Sequence, residues 1–200
     1  MTKIKICGLR SEEDISYVNE LRPDYVGFVF LEGRRRYISP PEAARLRKRL
    51  DPSIQSVGVF VNEPVENVAT LLKEGTIQLA QLHGREDEEY AKELKRLCDK
   101  PVIKAFIIRT PADVEEALAY PADYLLLDNG LGTGEVFDWT LIKNIESPFF
   151  LAGGLTPDNV RKAISDVRPY GVDVSSGVET KGRKDYRKIK AFIESARKKI

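Results

Sequence analysis

The chain has 200 residues, 42% of them hydrophobic and 32% charged, which supports one sizeable core under an unusually ionic surface. Its 32 basic and 31 acidic side chains leave a net charge of +1, and this excludes a general nucleic-acid binder, which needs a basic excess to neutralise phosphates. Two cysteines, Cys7 and Cys98, with one histidine exclude a disulfide framework and a structural zinc site, and no apolar run nears the roughly 20 residues of a membrane span.

In chain order, short apolar runs predict strands at 3–7, 25–30, 56–61, 79–82, 102–106, 124–127, 149–152 and 171–174. Helical patterns alternate with them at 12–21, 41–50, 65–73, 87–97, 111–118, 138–143, 157–164 and 185–198. Ser39 before Pro40-Pro41 and Thr156 before Pro157 read as helix caps, because a first helical turn tolerates proline. Each helix must carry the chain back to the starting edge, so the repeat predicts a parallel sheet, and eight units can close on themselves. The expectation is an α/β fold, a single (βα)8 TIM barrel forming one domain over 1–200, with a doubly wound open sheet as the alternative.

In such a barrel the reactive groups belong at the C-terminal ends of the strands. Cys7 ends the first run and enters a glycine turn; strand alternation puts Lys5 and Cys7 on one face and Ile4 and Ile6 on the other. A nearby ammonium favours the reactive thiolate, whereas the plain alternative is a small buried hydrophobe. Cys98, late in a helix, reads as structural. Asp128 follows Leu125-Leu126-Leu127; apolar walls favour a neutral carboxyl suited to a general acid, while Asp-Asn-Gly is also ordinary turn chemistry. Gly130-Leu131-Gly132-Thr133-Gly134 lacks the spacing of a dinucleotide fingerprint and reads as a mobile loop.

Gly153-Gly154 and Ser175-Ser176-Gly177 fall in loops seven and eight, where barrels of this kind often bind phosphate through backbone N–H groups. His83 reads as structural or as a hydrogen-bond donor, and one arginine of Arg34-Arg35-Arg36, if aimed inward, could grip a carboxylate bidentately. Two-residue steps place Lys5 with Cys7, Gln81 with His83, Lys104 with Phe106 and Asp173 with Ser175. Lys5, Gln81, Lys104 and Asp173 are therefore expected to form a polar layer inside the barrel, with Asp173 near a lysine and Lys5 favouring the Cys7 thiolate.

Together these windows resemble the phosphoribosylanthranilate isomerase family of tryptophan biosynthesis. The matching segments begin with Lys3-Ile4-Lys5-Ile6-Cys7-Gly8-Leu9, Val57-Gly58-Val59-Phe60-Val61-Asn62 and Gln81-Leu82-His83-Gly84. They continue with Leu126-Leu127-Asp128, Gly132-Thr133-Gly134, Phe137-Asp138-Trp139 and Leu151-Ala152-Gly153-Gly154-Leu155, and end with Gly171-Val172-Asp173-Val174-Ser175-Ser176-Gly177-Val178-Glu179. The resemblance implies an Amadori rearrangement without a cofactor or metal, with Cys7 as general base and Asp128 as general acid. It also implies that Arg36, which precedes Tyr37, holds the anthranilate carboxylate, and it makes His83, Gly153, Gly154, Asp173, Ser175, Ser176 and Gly177 the further candidates for substrate binding.

Two departures stand out. Arg34-Arg35 replaces the Ser-Pro that usually precedes the family's arginine, and Thr180-Lys181-Gly182-Arg183 leads to Lys184-Asp185 without the usual proline. The expected partner is a small phosphorylated aminosugar, with no nucleic acid and no membrane, for a monomer or homodimer in the cytoplasm. The competing readings are another phosphosugar barrel, such as an epimerase or a histidine-pathway isomerase, and a noncatalytic phosphometabolite binder.

Overall fold

A computed structural model describes residues 1–128, 139–143 and 145–198. Eight parallel strands close into a barrel in sequence order: β1 (Lys3–Cys7), β2 (Tyr25–Val29), β3 (Gln55–Phe60), β4 (Leu79–Leu82), β5 (Val102–Ile107), β6 (Tyr124–Asp128), β7 (Phe149–Leu151) and β8 (Gly171–Val174). The pairing of β1 with β8, Lys3 to Gly171 through Ile6 to Val174, closes the barrel and eliminates the open sheet.

The return elements are α1 (Glu12–Leu21), α2 (Pro40–Arg47), α3 (Val65–Lys73), α4 (Glu88–Leu97), α5 (Pro111–Ala119), α6 (Val160–Val167) and α7 (Tyr186–Arg197). Local chemistry sets where several of them start. Ser11 and Asp14 form a capping box on α1, Thr110 and Asp113 another on α5, and Asp87 and Asp185 cap α4 and α7.

One of the two expected helix starts is found and the other is not. Ser39 is the N-cap of α2, in a capping box with Glu42, whose carboxylate accepts from both the Ser39 hydroxyl and its N–H. Thr156 opens a turn rather than a helix: Asn159 Oδ1 accepts from the Thr156 N–H at 2.8 Å, and α6 begins at Val160. Between β6 and β7, the segment expected as a helix at 138–143 is a 3-10 turn over Trp139–Ile142; Asp138 lies outside the described residues.

Packing separates into two regions. Inside the barrel, Tyr25, Val57, Leu79, Ile103, Leu126, Phe150 and Ala152 form one buried cluster. The opposite faces of the strands pack against the helices through a larger one that includes Ile4, Ile6, Val26, Phe28, Leu82 and Val172. Strands buried on both sides are the reason these segments are so uniformly apolar. At the N-terminal mouth, Tyr25 and Tyr170 share a hydroxyl–hydroxyl hydrogen bond of 2.9 Å.

Candidate active site

The barrel register decides which side chains face the interior. Adjacent parallel strands pair residues of like orientation, so the inner face runs from Lys5 to Tyr25 and Asp173, from Cys7 to Gly27, from Gln81 to Ile103, and from Ile107 to Asp128. Cys7 and Asp128 thus point into the C-terminal mouth from opposite parts of the sheet. A Cβ at position 27 would fall 2.6 Å from Cys7 Sγ, so Gly27 leaves the room that the thiol occupies.

The expected polar layer forms in part. Lys5 is fully buried and its Nζ donates to Asp173 Oδ1 at 2.7 Å, and the inward-facing Gln81 is buried as well. Lys104 does not belong to it. It pairs in register with Leu82 on the outer face, because Ile103 and Ala105 are the inward residues of β5. Its Nζ bonds Glu86 at 2.9 Å and the Gly84 carbonyl at 2.8 Å, beneath the Tyr120 ring.

A cavity of about 470 Å³ opens at this mouth and is lined by all ten candidates: Cys7, Arg36, His83, Asp128, Gly153, Gly154, Asp173, Ser175, Ser176 and Gly177. A neighbouring depression over β4–β6 shares only His83 and Asp128 among them, so the chemistry converges on the first.

Burial pushes the Cys7 thiol above its ordinary pKa; Lys5 and Lys184 pull it down, Asp173 raises it further, and burial prevails. The expectation that Lys5 favours the thiolate therefore holds for Lys5 alone and not for the net effect. Burial also opposes the charge on Lys5, but Asp173 and Cys7 outweigh it and hold the ammonium above its usual range. For His83, burial by the surrounding mouth lowers the pKa against the pull of Asp128, favouring neutral imidazole. Gln81 Nε2 lies 3.0 Å from His83 Nδ1; with that amide donating, the ring offers its other N–H.

Loop two returns tightly beside its strand, with the Tyr37 N–H on the Arg34 carbonyl and the Ile38 N–H on the Val29 carbonyl, which brings the arginine run to the cavity rim. The three arginines differ. Arg34 and Arg35 are exposed, whereas Arg36 is half-buried and gripped from behind by Glu179, through Nε to Oε1 at 2.7 Å and Nη2 to Oε2 at 3.0 Å. Glu179 is a site residue that sequence reasoning missed, although it closes the last matching segment.

Loops seven and eight lie against each other. Gly153 and Gly154 adopt φ of 83° and 66°, a region that disfavours other residues. A Cβ on Gly177 would come within 1.9 Å of the Leu155 carbonyl oxygen, so that glycine allows the two loops to touch. Ser175 Oγ donates to the Cys7 carbonyl at 3.0 Å and joins loop eight to the end of β1.

The chain then forms a hairpin, β9 (Glu179–Thr180) and β10 (Arg183–Lys184), around Lys181 and Gly182 at φ of 50° and 76°. Two positive φ values make a type I′ turn, and proline, fixed near −65°, cannot replace Lys181 in it. The absence of proline at this position suits the turn that the chain forms here. The segments 130–134 and 137–138 lie outside the described residues.

The sequence profile described as N-(5'phosphoribosyl)anthranilate (PRA) isomerase matches residues 4–195. The chain belongs to this family. The N-(5'-phosphoribosyl)anthranilate isomerase of Endomicrobium trichonymphae is 50% identical over 94% of this chain and 95% of its own. The Thermotoga maritima phosphoribosyl anthranilate isomerase structure superposes with a TM-score of 0.91 at 42% identity, covering 98% of both chains. A phosphoribosyl anthranilate isomerase solved with reduced 1-(o-carboxyphenylamino)-1-deoxyribulose 5-phosphate gives 0.88 at 42% identity, again over 98% of each. Membership in the phosphoribosylanthranilate isomerase family accounts for the order of the matching segments along the barrel.

Proposed function

We infer that the protein is a single-domain isomerase that converts N-(5-phosphoribosyl)anthranilate to 1-(2-carboxyphenylamino)-1-deoxyribulose 5-phosphate in tryptophan biosynthesis. The observation that carries this reading is convergence: a thiol on β1 and a carboxyl on β6 face one cavity that also holds an oriented arginine and two touching glycine loops.

In the proposed mechanism, loops seven and eight seat the phosphate through Gly153, Gly154, Ser176 and Gly177, while Arg36 meets the anthranilate carboxylate. Asp128 gives its proton to the furanose ring oxygen as the anthranilate nitrogen pushes its lone pair toward C1. The C1–O bond breaks, leaving a hydroxyl and an iminium ion. Cys7, in the thiolate fraction that Lys5 supports, removes the proton from C2; those electrons form the C1–C2 double bond of an enolamine and neutralise the nitrogen. Protonation at C1 and loss of the C2 hydroxyl proton give the ketone. No atom is gained or lost, so the reaction requires only proton carriers. Neutral His83 can donate a hydrogen bond to a sugar oxygen without adding charge.

No helix among the described residues is long and apolar enough to cross a membrane. The cytoplasm is the proposed location, since the substrate is a phosphorylated metabolite.

Steady-state assays with phosphoribosylanthranilate test the reading. Wild type should turn over, and Cys7→Ser and Asp128→Asn should each lose about 10²–10⁴-fold in kcat with inorganic phosphate binding retained. An inactive wild type overturns the function; a near-wild-type variant removes that residue from the mechanism.

A further inference from the structure

Glu179 lies behind Arg36, outside the lining of the cavity. Its side chain is 5% exposed, and it accepts from Arg36 Nε and Nη2, Arg35 Nη2 at 2.6 Å and Lys184 Nζ at 3.0 Å. Burial alone would raise its pKa, but the bonds from Arg36 and the charge of Lys184 hold it down to about 2, so it is ionised throughout the physiological range. Lys184, itself buried, also donates to the Ser175 carbonyl at 3.0 Å and thereby fixes this carboxylate to loop eight.

The consequence lies in the geometry of a guanidinium, whose five N–H groups form two usable forks. Glu179 occupies the side-on fork of Arg36, Nε with Nη2. Nη1 has no hydrogen-bond partner among the described residues, and Arg36 lines the cavity. A Cβ on Gly8 would fall 2.4 Å from Arg36 Cδ, so the stem of the arginine lies directly on loop one and has little freedom to swing.

We propose that Glu179 is a positioning residue for the isomerisation: it holds Arg36 by the side-on fork, so that the end-on fork, Nη1 with Nη2, meets the substrate carboxylate. This rests on the function inferred above and assigns a role to a residue that does not itself touch substrate. Arg35, exposed and joined to Glu179 through one nitrogen, is the weaker candidate for that contact. The arrangement also answers the cost of a half-buried arginine before substrate arrives, since its charge is already paired.

The test is a double-mutant cycle with phosphoribosylanthranilate, read as KM and kcat separately, on wild type, Glu179→Gln, Arg36→Ala and the double variant. Glu179→Gln should raise KM by about tenfold or more, the order expected when a charge-assisted contact loses its geometry, with kcat changed less. The Ki of inorganic phosphate should stay within about twofold in every variant, while that of anthranilate rises with KM. Because Glu179 acts through Arg36, the double variant should match Arg36→Ala rather than add to it. Independent, additive effects, or an unchanged KM in Glu179→Gln, overturn the proposal.

If Glu179→Gln fails to fold, Glu179→Asp keeps the charge and withdraws it by one methylene. The same rise in KM is expected, and a wild-type KM overturns the proposal. Wild-type turnover in the same experiment separates this outcome from a failure of the functional reading.

Discussion

Lys5 and Lys104 are both buried in parallel strands, each with a carboxylate within 3 Å, yet they face opposite sides of the barrel. Lys5 looks inward at Asp173 and stands two residues below Cys7, so its charge acts on that thiol. Lys104 looks outward at Glu86, which also accepts from the N–H groups of Asn62 at 2.7 Å and Gly84 at 2.9 Å and so ties together the loops that follow β3 and β4. Similar ion pairs on one sheet thus serve different ends: the first tunes a site, the second braces the scaffold around it. Strand phase, rather than residue type or burial, decides between them.

The contrast can be broken by removing each ammonium in turn. The largest stability effect is expected for Lys104→Met, because Glu86 has a side chain only 1% exposed and loses its one cationic partner among the described residues; such losses run to about 3–5 kcal/mol. Denaturant titration measures it, and kcat of the folded fraction should stay within about threefold. A tenfold fall in kcat would erase the distinction. Lys5→Met should cost less stability, since Asp173 is 11% exposed and can recruit water, but it should raise the Cys7 pKa. One pH unit in a thiol-alkylation titration corresponds to about a tenfold smaller thiolate fraction and a comparable fall in kcat. An unchanged titration would leave Lys5 a structural role only.

The smallest effects appear in how those deficits vary with pH. Burial would raise the pKa of Glu86, but Lys104 and the backbone donors hold it below its ordinary value. Its contribution is therefore present above the unfolded carboxylate pKa, about 4.3, and is lost as pH falls through the lower folded value. The gap between wild type and Lys104→Met should narrow below about pH 4. The Lys5 pKa is raised, so its contribution is complete below the unfolded value of about 10.4 and fades as pH climbs through the folded one. The Lys5→Met deficit should accordingly narrow at the alkaline end, and chemical denaturation at both extremes would distinguish the two pairs.

The sequence made the fold legible because every βα unit carries its own signal, and β1, α1, α3, β4 and β8 have the bounds that the pattern predicts. Phase was legible only where polarity alternates. Lys3-Ile4-Lys5-Ile6-Cys7 alternates, which makes the inward placing of Lys5 readable. In Val102-Ile103-Lys104-Ala105-Phe106-Ile107 both faces are apolar apart from Lys104, because parallel strands are buried on both sides, and the two-residue step cannot say which face is inner. The start of α6 is not legible because Thr156-Pro157 imitates a cap, whereas the helix begins at Val160 with Asn159 as its N-cap. Glu179 was hidden for a different reason. Its partners Arg35, Arg36 and Lys184 are close only after the barrel closes, and the one available signal was an acidic residue facing a run of arginines across the chain.

The seam where β1 meets β8 also sets a schedule. Lys5 and Asp173 are 168 residues apart, as are Cys7 and Ser175, so the surroundings of the thiol come from the two ends of the chain. Contacts of such long range form late, after the intervening loops have been closed at an entropic cost. During synthesis Cys7 is made long before β8, and its thiol acquires the surroundings described above only when that strand docks. Onset of turnover during synthesis or refolding is therefore a clock for barrel closure, and amino-terminal fragments that already contain helices and six or seven strands should collapse without acquiring catalysis.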